Sequence, residues 1–448
     1  MPTTATLAVC GSFLLHFVGL GILYSSGLFV LPLSYAYDTQ RQQASLVSSM
    51  FTGSMLLTSL SAGRVFDTFY KRQSQNPSNK DLNSIPMFPP IMLGGVLTAV
   101  GLFSLSYTNN VVSGIFASFF VGAGASLFAI PSITVVQSWF DKSSRATATG
   151  FAMAGSGLGN FAYAIFISRL LEYYDEEDCE GRGDCEGWRK ALRIEAIVSL
   201  ALVLLGSCLI KRKKVVNSTS SDPDVHSEDL LTFKQAVMTR PLLTVIGFKS
   251  VFAFAYLNFF VHIVAYCEGI GLSTEDSALA LSLIGCASIA GRVIIGMMAD
   301  KFGTTNTLIS SMVVLIACVL IWTHVESLAG LLVLSCCYGF FAGGFPSLPP
   351  SIIAEYYGKV AGSSLFQVIG VNFFLETPGA TIGPSLVGYM FDVSGTYESG
   401  SYLTAGFMIV GVLVLATIPK VEDWDEKMKS KSEAEARRMT KAGDNTIL

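Results

Sequence analysis

Twelve apolar runs constrain this 448-residue chain more than any other feature, because each is about the ~20 residues that cross a ~30 Å hydrocarbon core. Six lie in the first half, at approximately 8–34, 44–63, 87–107, 111–138, 146–170 and 191–210. Six more follow a polar stretch, at approximately 241–267, 277–299, 306–324, 328–353, 362–390 and 401–419. Only 14% of the residues are charged and 51% are hydrophobic, so the surface of a large soluble protein could not be covered. The alternating ten-residue pattern of a membrane β-barrel is absent, which leaves helices as the spanning elements. A net charge of −4 supplies no concentrated basic surface for nucleic acid.

Six runs plus six, divided by one polar linker, is the arithmetic of a transporter built from two related bundles. The reading is an all-α membrane protein of twelve transmembrane helices in two six-helix bundles, residues 1–210 and 241–419, with a linker at 211–240 and a tail at 420–448. With the N-terminus in the cytoplasm, 21 of the 29 Lys and Arg residues fall on the cytoplasmic side and six on the other, which predicts both termini inside. The two that remain, Lys249 and Arg292, lie within predicted spans. No basic n-region or small-residue cleavage site precedes the first run, so that helix itself is expected to act as the signal.

The linker opens with Lys211, Arg212, Lys213 and Lys214 and then runs through Ser, Asp and Glu without apolar periodicity. It reads as a tether whose basic start lies against anionic headgroups. Cys179 and Cys185 sit in an acidic external loop with five residues between them, a spacing open both to a disulfide and to two free thiols. The other seven cysteines fall in spans as packing residues. No metal or cofactor is expected: no histidine accompanies the loop cysteines, and no phosphate-binding glycine loop is present.

Three groups of motifs connect the chain to a known family. Gly296, Ala299, Asp300, Lys301 and Gly303 form a G-x-x-A-D-K-x-G signature between the eighth and ninth runs, with a weaker echo at Ala62, Gly63, Arg64 and Asp67 between the second and third. Pro131 is read as closing a glycine-rich fourth helix; Trp139, Phe140, Asp141, Lys142 and Arg145 then lead to Gly155, Gly157 and Gly159. Gly187-Trp188-Arg189, the stretch from Tyr338 to Phe345 with Glu355, and Gly383-Pro384 followed by Asp392 and Tyr397 complete the set. From about residue 45 to 419 the chain resembles the monocarboxylate transporter family of the major facilitator superfamily, and bacterial oxalate-formate exchangers share part of the pattern. The resemblance implies a major facilitator fold, no enzymatic activity, and organic-anion transport in which the arginine at Arg292 binds a carboxylate. The animal members' acidic-glycine-tryptophan signature is missing from the first helix, as is the lysine of the proton-coupled lactate carriers. Those carriers also place an aspartate one turn before the arginine, where this chain has Ser288.

Charge inside a membrane costs about 2.5 to 3.5 kcal/mol even on lenient insertion scales, so intramembrane ions point to function. Arg292 keeps its charge and its fork meets a carboxylate bidentately; snorkelling to the surface is the competing reading. Glu376, near the middle of the eleventh run, is the candidate proton carrier or a partner for Arg292. Lys249 is read as a second anion contact, a partner for Glu376, or a snorkelling residue. His16 and His262 are weaker proton-carrier candidates, more in keeping with packing.

The expected function is therefore secondary transport of a small organic anion by alternating access, with proton symport preferred. Anion exchange or facilitated transport of larger carboxylates, such as aromatic amino acids, is the alternative, and a non-transporting receptor is the reading from another class. The expected partners are membrane lipid, a small anion and a proton, with room for an accessory subunit. The membrane itself, plasma or organellar, is left open.

Overall fold

A computed structural model describes residues 3–39, 41–79, 83–178, 187–213, 231–357, 364–428 and 430. Cys179 and Cys185 lie outside the described residues. The first half contains α1 (Thr3–Ser25), α2 (Val30–Ala36), α3 (Arg41–Gln75), α4 (Phe88–Leu105), α5 (Val111–Trp139), α6 (Arg145–Asp178) and α7 (Gly187–Leu209). The second contains α8 (Phe233–Val237), α9 (Arg240–Tyr256), α10 (Asn258–Gly269), α11 (Thr274–Phe302), α12 (Thr304–Ile321), α13 (Leu328–Ala342), α14 (Gly344–Tyr357), α15 (Leu365–Phe374), α16 (Thr377–Ser394) and α17 (Glu398–Ala416).

Among the described residues, eleven helical segments are long and apolar enough to cross a membrane. Each corresponds to one of the expected runs. The eleventh run is the exception, because it is divided between α15 and α16 at Leu375 and Glu376. Several helices outlast their apolar stretch. α3 continues to Gln75 and α11 to Phe302, so Asp67 and Asp300 are helical residues rather than members of connecting loops. Pro131 does not close the fourth span; α5 carries it internally and runs on to Trp139. Gly303, at φ +94°, ends α11 where a side chain would be strained.

The chain is also not purely helical. Lys211–Lys213 forms β2, antiparallel to β1 (Ser84–Pro86), with Ile85 opposite Arg212. The start of the expected tether is therefore anchored structure, and α8 gives its far end a capping box between Thr232 and Gln235.

Small residues set the helix spacing. α1 packs on α6, α3 on α5 and α4 on α7 within the first half; α9 packs on α16 and α17, and α11 on α13, within the second. α6 against α11 and α3 against α15 join the halves. At these joins a Cβ on Gly150 would overlap the Arg292 carbonyl oxygen, and one on Gly63 would lie 2.6 Å from that of Phe366. Backbones approach this closely only where Cβ is missing, and in lipid such close packing replaces the hydrophobic drive.

Candidate functional site

Three spans of the second half are interrupted, and proline chemistry explains two of the breaks. Pro346 cannot donate to the carbonyl of Ala342, four residues back, and the chain divides into α13 and α14 there; the Tyr256 hydroxyl donates to that freed carbonyl at 3.3 Å. Pro378 likewise frees the carbonyl of Phe374, which takes a hydrogen bond from the Thr377 hydroxyl at 2.7 Å. Between α9 and α10 the Asn258 amide donates to Phe254 O at 3.0 Å and to Thr404 Oγ1 at 2.9 Å. Broken spans whose freed backbone groups are recovered by side chains are tolerated at membrane depth only inside protein or beside a cavity.

Two of the buried charges meet at one of these breaks. Glu376 occupies the junction of α15 and α16, at the N-terminus of α16. Its carboxylate forms an ion pair with Lys249 of α9, whose side chain is wholly buried. The Lys249 ammonium also lies 4.7 Å from the ring centre of Phe345 and 4.6 Å from that of Phe373. Ring faces and a carboxylate together compensate a cation that lipid would otherwise exclude. Lys249 therefore does not snorkel, and of the two expected partners for Glu376 it is Lys249, not Arg292, that carries the contact.

Arg292 is 5% exposed on α11, so it does not snorkel either. Its Nη1 donates to the Met153 carbonyl of α6 at 2.6 Å, and its Nε has no hydrogen-bond partner among the described residues. Among the described residues no carboxylate pairs with it. Tyr24 of α1 and Tyr256 of α9 lie within electrostatic reach of both Arg292 and Glu376. Tyr256 stacks on Phe345 with ring centres 4.4 Å apart. Ser288, one turn before Arg292, donates to the Gly285 carbonyl at 2.8 Å. His16 is tied to the Ser12 carbonyl at 2.8 Å and His262 to that of Pro384 at 3.0 Å.

The motif acids work at the helix ends. Asp300 accepts from the backbone amides of Ala146 and Thr147 at 2.9 and 2.8 Å, the first turn of α6. Asp67 accepts from those of Phe366 and Gln367 at 3.2 and 2.8 Å, the first turn of α15. Each acid thus neutralises the positive end of a helix from the other half, and the two echoes are equivalent in chemistry as well as in sequence. Gly296 lets α11 run against Ala146, where a Cβ would stand 2.6 Å from the carbonyl oxygen. Arg145 donates to Phe140 O at 3.2 Å amid the charges of Asp141, Asp300 and Glu355, while Lys142 acts on Glu355.

One buried acid escapes the motif reading. Glu195 of α7 is 1% exposed, and among the described residues neither carboxylate oxygen has a hydrogen-bond partner. Its signal was a carboxylate inside an apolar run, obscured by the neighbouring Arg189, Lys190 and Arg193 at the helix start. Among the described residues no three His, Cys, Asp or Glu side chains converge as metal ligands.

Comparison with known proteins agrees with this architecture. Bovine monocarboxylate transporter 13 is 25% identical over 417 residues, covering 92% of this chain and 89% of that protein. Rat monocarboxylate transporter 12 is 27% identical over 366 residues, 74% of this chain and 71% of its own length. The crystal structure of the E. coli fucose:proton symporter superposes with a TM-score of 0.67 at 16% identity, covering 93% of this chain and 98% of that one, a likeness of fold. The Major Facilitator Superfamily profile matches residues 9–375, and the chain belongs to that superfamily of membrane transporters.

Proposed function

We propose that this transporter moves a small organic anion of the monocarboxylate type, with its carboxylate received by Arg292 and its passage coupled to a proton at Glu376. The observation that carries the reading is a buried guanidinium held by one backbone carbonyl, with no acid partner among the described residues. Such a cation is costly in a membrane interior, and a bidentate carboxylate is the ligand that relieves the cost. Because Lys249 already balances Glu376, Arg292 leaves one net positive charge for a monoanion. A proton on Glu376 would release Lys249, adding a second cation while the anion is bound, and its loss would restore the pair. The distribution of Lys and Arg supports both termini lying in the cytoplasm.

Ser288 favours a second reading, anion exchange, because a hydroxyl bonded within its own helix cannot take the titrating role that an aspartate would have there. Proteoliposomes separate the two. Uptake of labelled monocarboxylate accelerated by an inward proton gradient supports symport; uptake that needs internal counter-substrate supports exchange. Arg292→Ala should abolish flux in either case while the protein still inserts, and parental flux in that variant rejects the site. Glu376→Gln should flatten the pH dependence, whereas an unchanged profile removes the residue from coupling.

A further inference from the structure

We infer that Arg212, on the strand that begins the linker, is a clasp residue that holds the two halves together at the Asp67 end. Its guanidinium lies 3.9 Å from the ring centre of Tyr70 on α3 and 4.5 Å from that of Phe366 on α15. One cation therefore sits between an aromatic ring of the first half and one of the second. The side chain is 2% exposed, although its neighbours Lys211 and Lys213 point outward. Asp67, which caps α15 through the amides of Phe366 and Gln367, acts electrostatically on the same guanidinium. Phe66 closes the arrangement against Phe366, with ring centres 5.4 Å apart.

The strand is fixed independently of the ring contacts. Trp139 Nε1 donates to Lys211 O at 2.6 Å, Lys213 N donates to Ser138 Oγ at 3.3 Å, and Tyr70 OH donates to Lys213 O at 3.4 Å. Pairing with β1 adds the loop ahead of α4. All of these anchors belong to the first half, so the arginine is presented on a rigid edge and its contact with Phe366 is the part that crosses between halves. Separation of α15 from α3 during alternating access would take the Phe366 ring away from the buried guanidinium, which biases the molecule toward the closed arrangement at this end. The corresponding Asp300 end has the acid and the helix cap, and the linker strand serves only one of the two.

Hydrogen exchange on the full-length protein in nanodiscs tests the assignment at the capped amides themselves. Arg212→Ala should speed exchange at Phe366 and Gln367 by about fivefold, the loss of one cation–ring contact, with the interior of α5 unchanged. Arg212→Lys should recover part of that protection, because an ammonium also lies well over a ring face. Parental exchange at both amides in Arg212→Ala overturns the clasp, as does an increase spread equally through α5. Should Arg212→Ala fail to fold, Phe366→Leu keeps the apolar packing and removes the ring; the same increase is then expected, and parental exchange rejects the proposal.

Discussion

At the scale of single residues, the membrane interior separates acids by what stands next to them. Glu376 has Lys249, whereas Glu195 has no hydrogen-bonding neighbour at either oxygen among the described residues. Lys249→Ala should therefore destabilise the protein strongly, by about 3 kcal/mol or more, because Glu376 is left buried and alone. The double variant Lys249→Met, Glu376→Met should recover most of that loss, as read from the thermal midpoint in detergent; an additive pair of losses would contradict the coupling. Glu195→Met should raise the midpoint or leave it unchanged, since an unsatisfied buried group costs about 1 to 3 kcal/mol. A marked fall would show that Glu195 has a polar role. Arg292 was legible in the sequence because no apolar helix carries a guanidinium without cause. The Lys249–Glu376 pair was one of several open readings, because the two stand 127 positions apart and Glu376 could equally have met Arg292.

Elements tell a different story from residues about what sequence can show. Length and hydropathy placed eleven of the twelve expected spans, since lipid imposes both, but they stopped α3 and α11 too early. A helix does not end where the bilayer does, and the polar turns that carry Asp67 and Asp300 continue the same hydrogen-bond ladder into water. The breaks at Gly343 and Glu376 had a visible signal in Pro346 and Pro378, yet a proline in a membrane helix can kink or divide it, and only the partners of the freed carbonyls decide. The strand Lys211–Lys213 had no local signal, because its pairing depends on a partner 127 residues earlier at Ser84–Pro86. Close helix contact gives a test at this scale. Gly150→Val should drive α6 off α11, since its Cβ would overlap the Arg292 carbonyl, and should lose transport together with stability. Parental activity in that variant would mean that the α6–α11 contact is dispensable.

Across the whole molecule, the two aspartate caps are the symmetric fastening of the halves, and the Arg212 strand makes that fastening unequal. Asp67→Asn and Asp300→Asn each remove a full charge from a helix N-terminus while keeping an acceptor, a loss of about 0.5 to 2 kcal/mol apiece. Either change should shift labelling of cysteines placed near Gln367 and Thr147 toward greater accessibility, and the double change should shift both further; unchanged labelling would show that the caps do not govern opening. What receives each aspartate is main chain. Four amides, those of Ala146, Thr147, Phe366 and Gln367, form the other half of the fastening, and every amino acid but one supplies the same N–H. Apart from Phe366, whose ring meets Arg212, side chains at those sites can therefore drift without removing the donors, and only proline disarms them directly. The receiving side of the gate is in this sense written in the polymer rather than in its code, leaving the aspartates as the half that heredity can adjust.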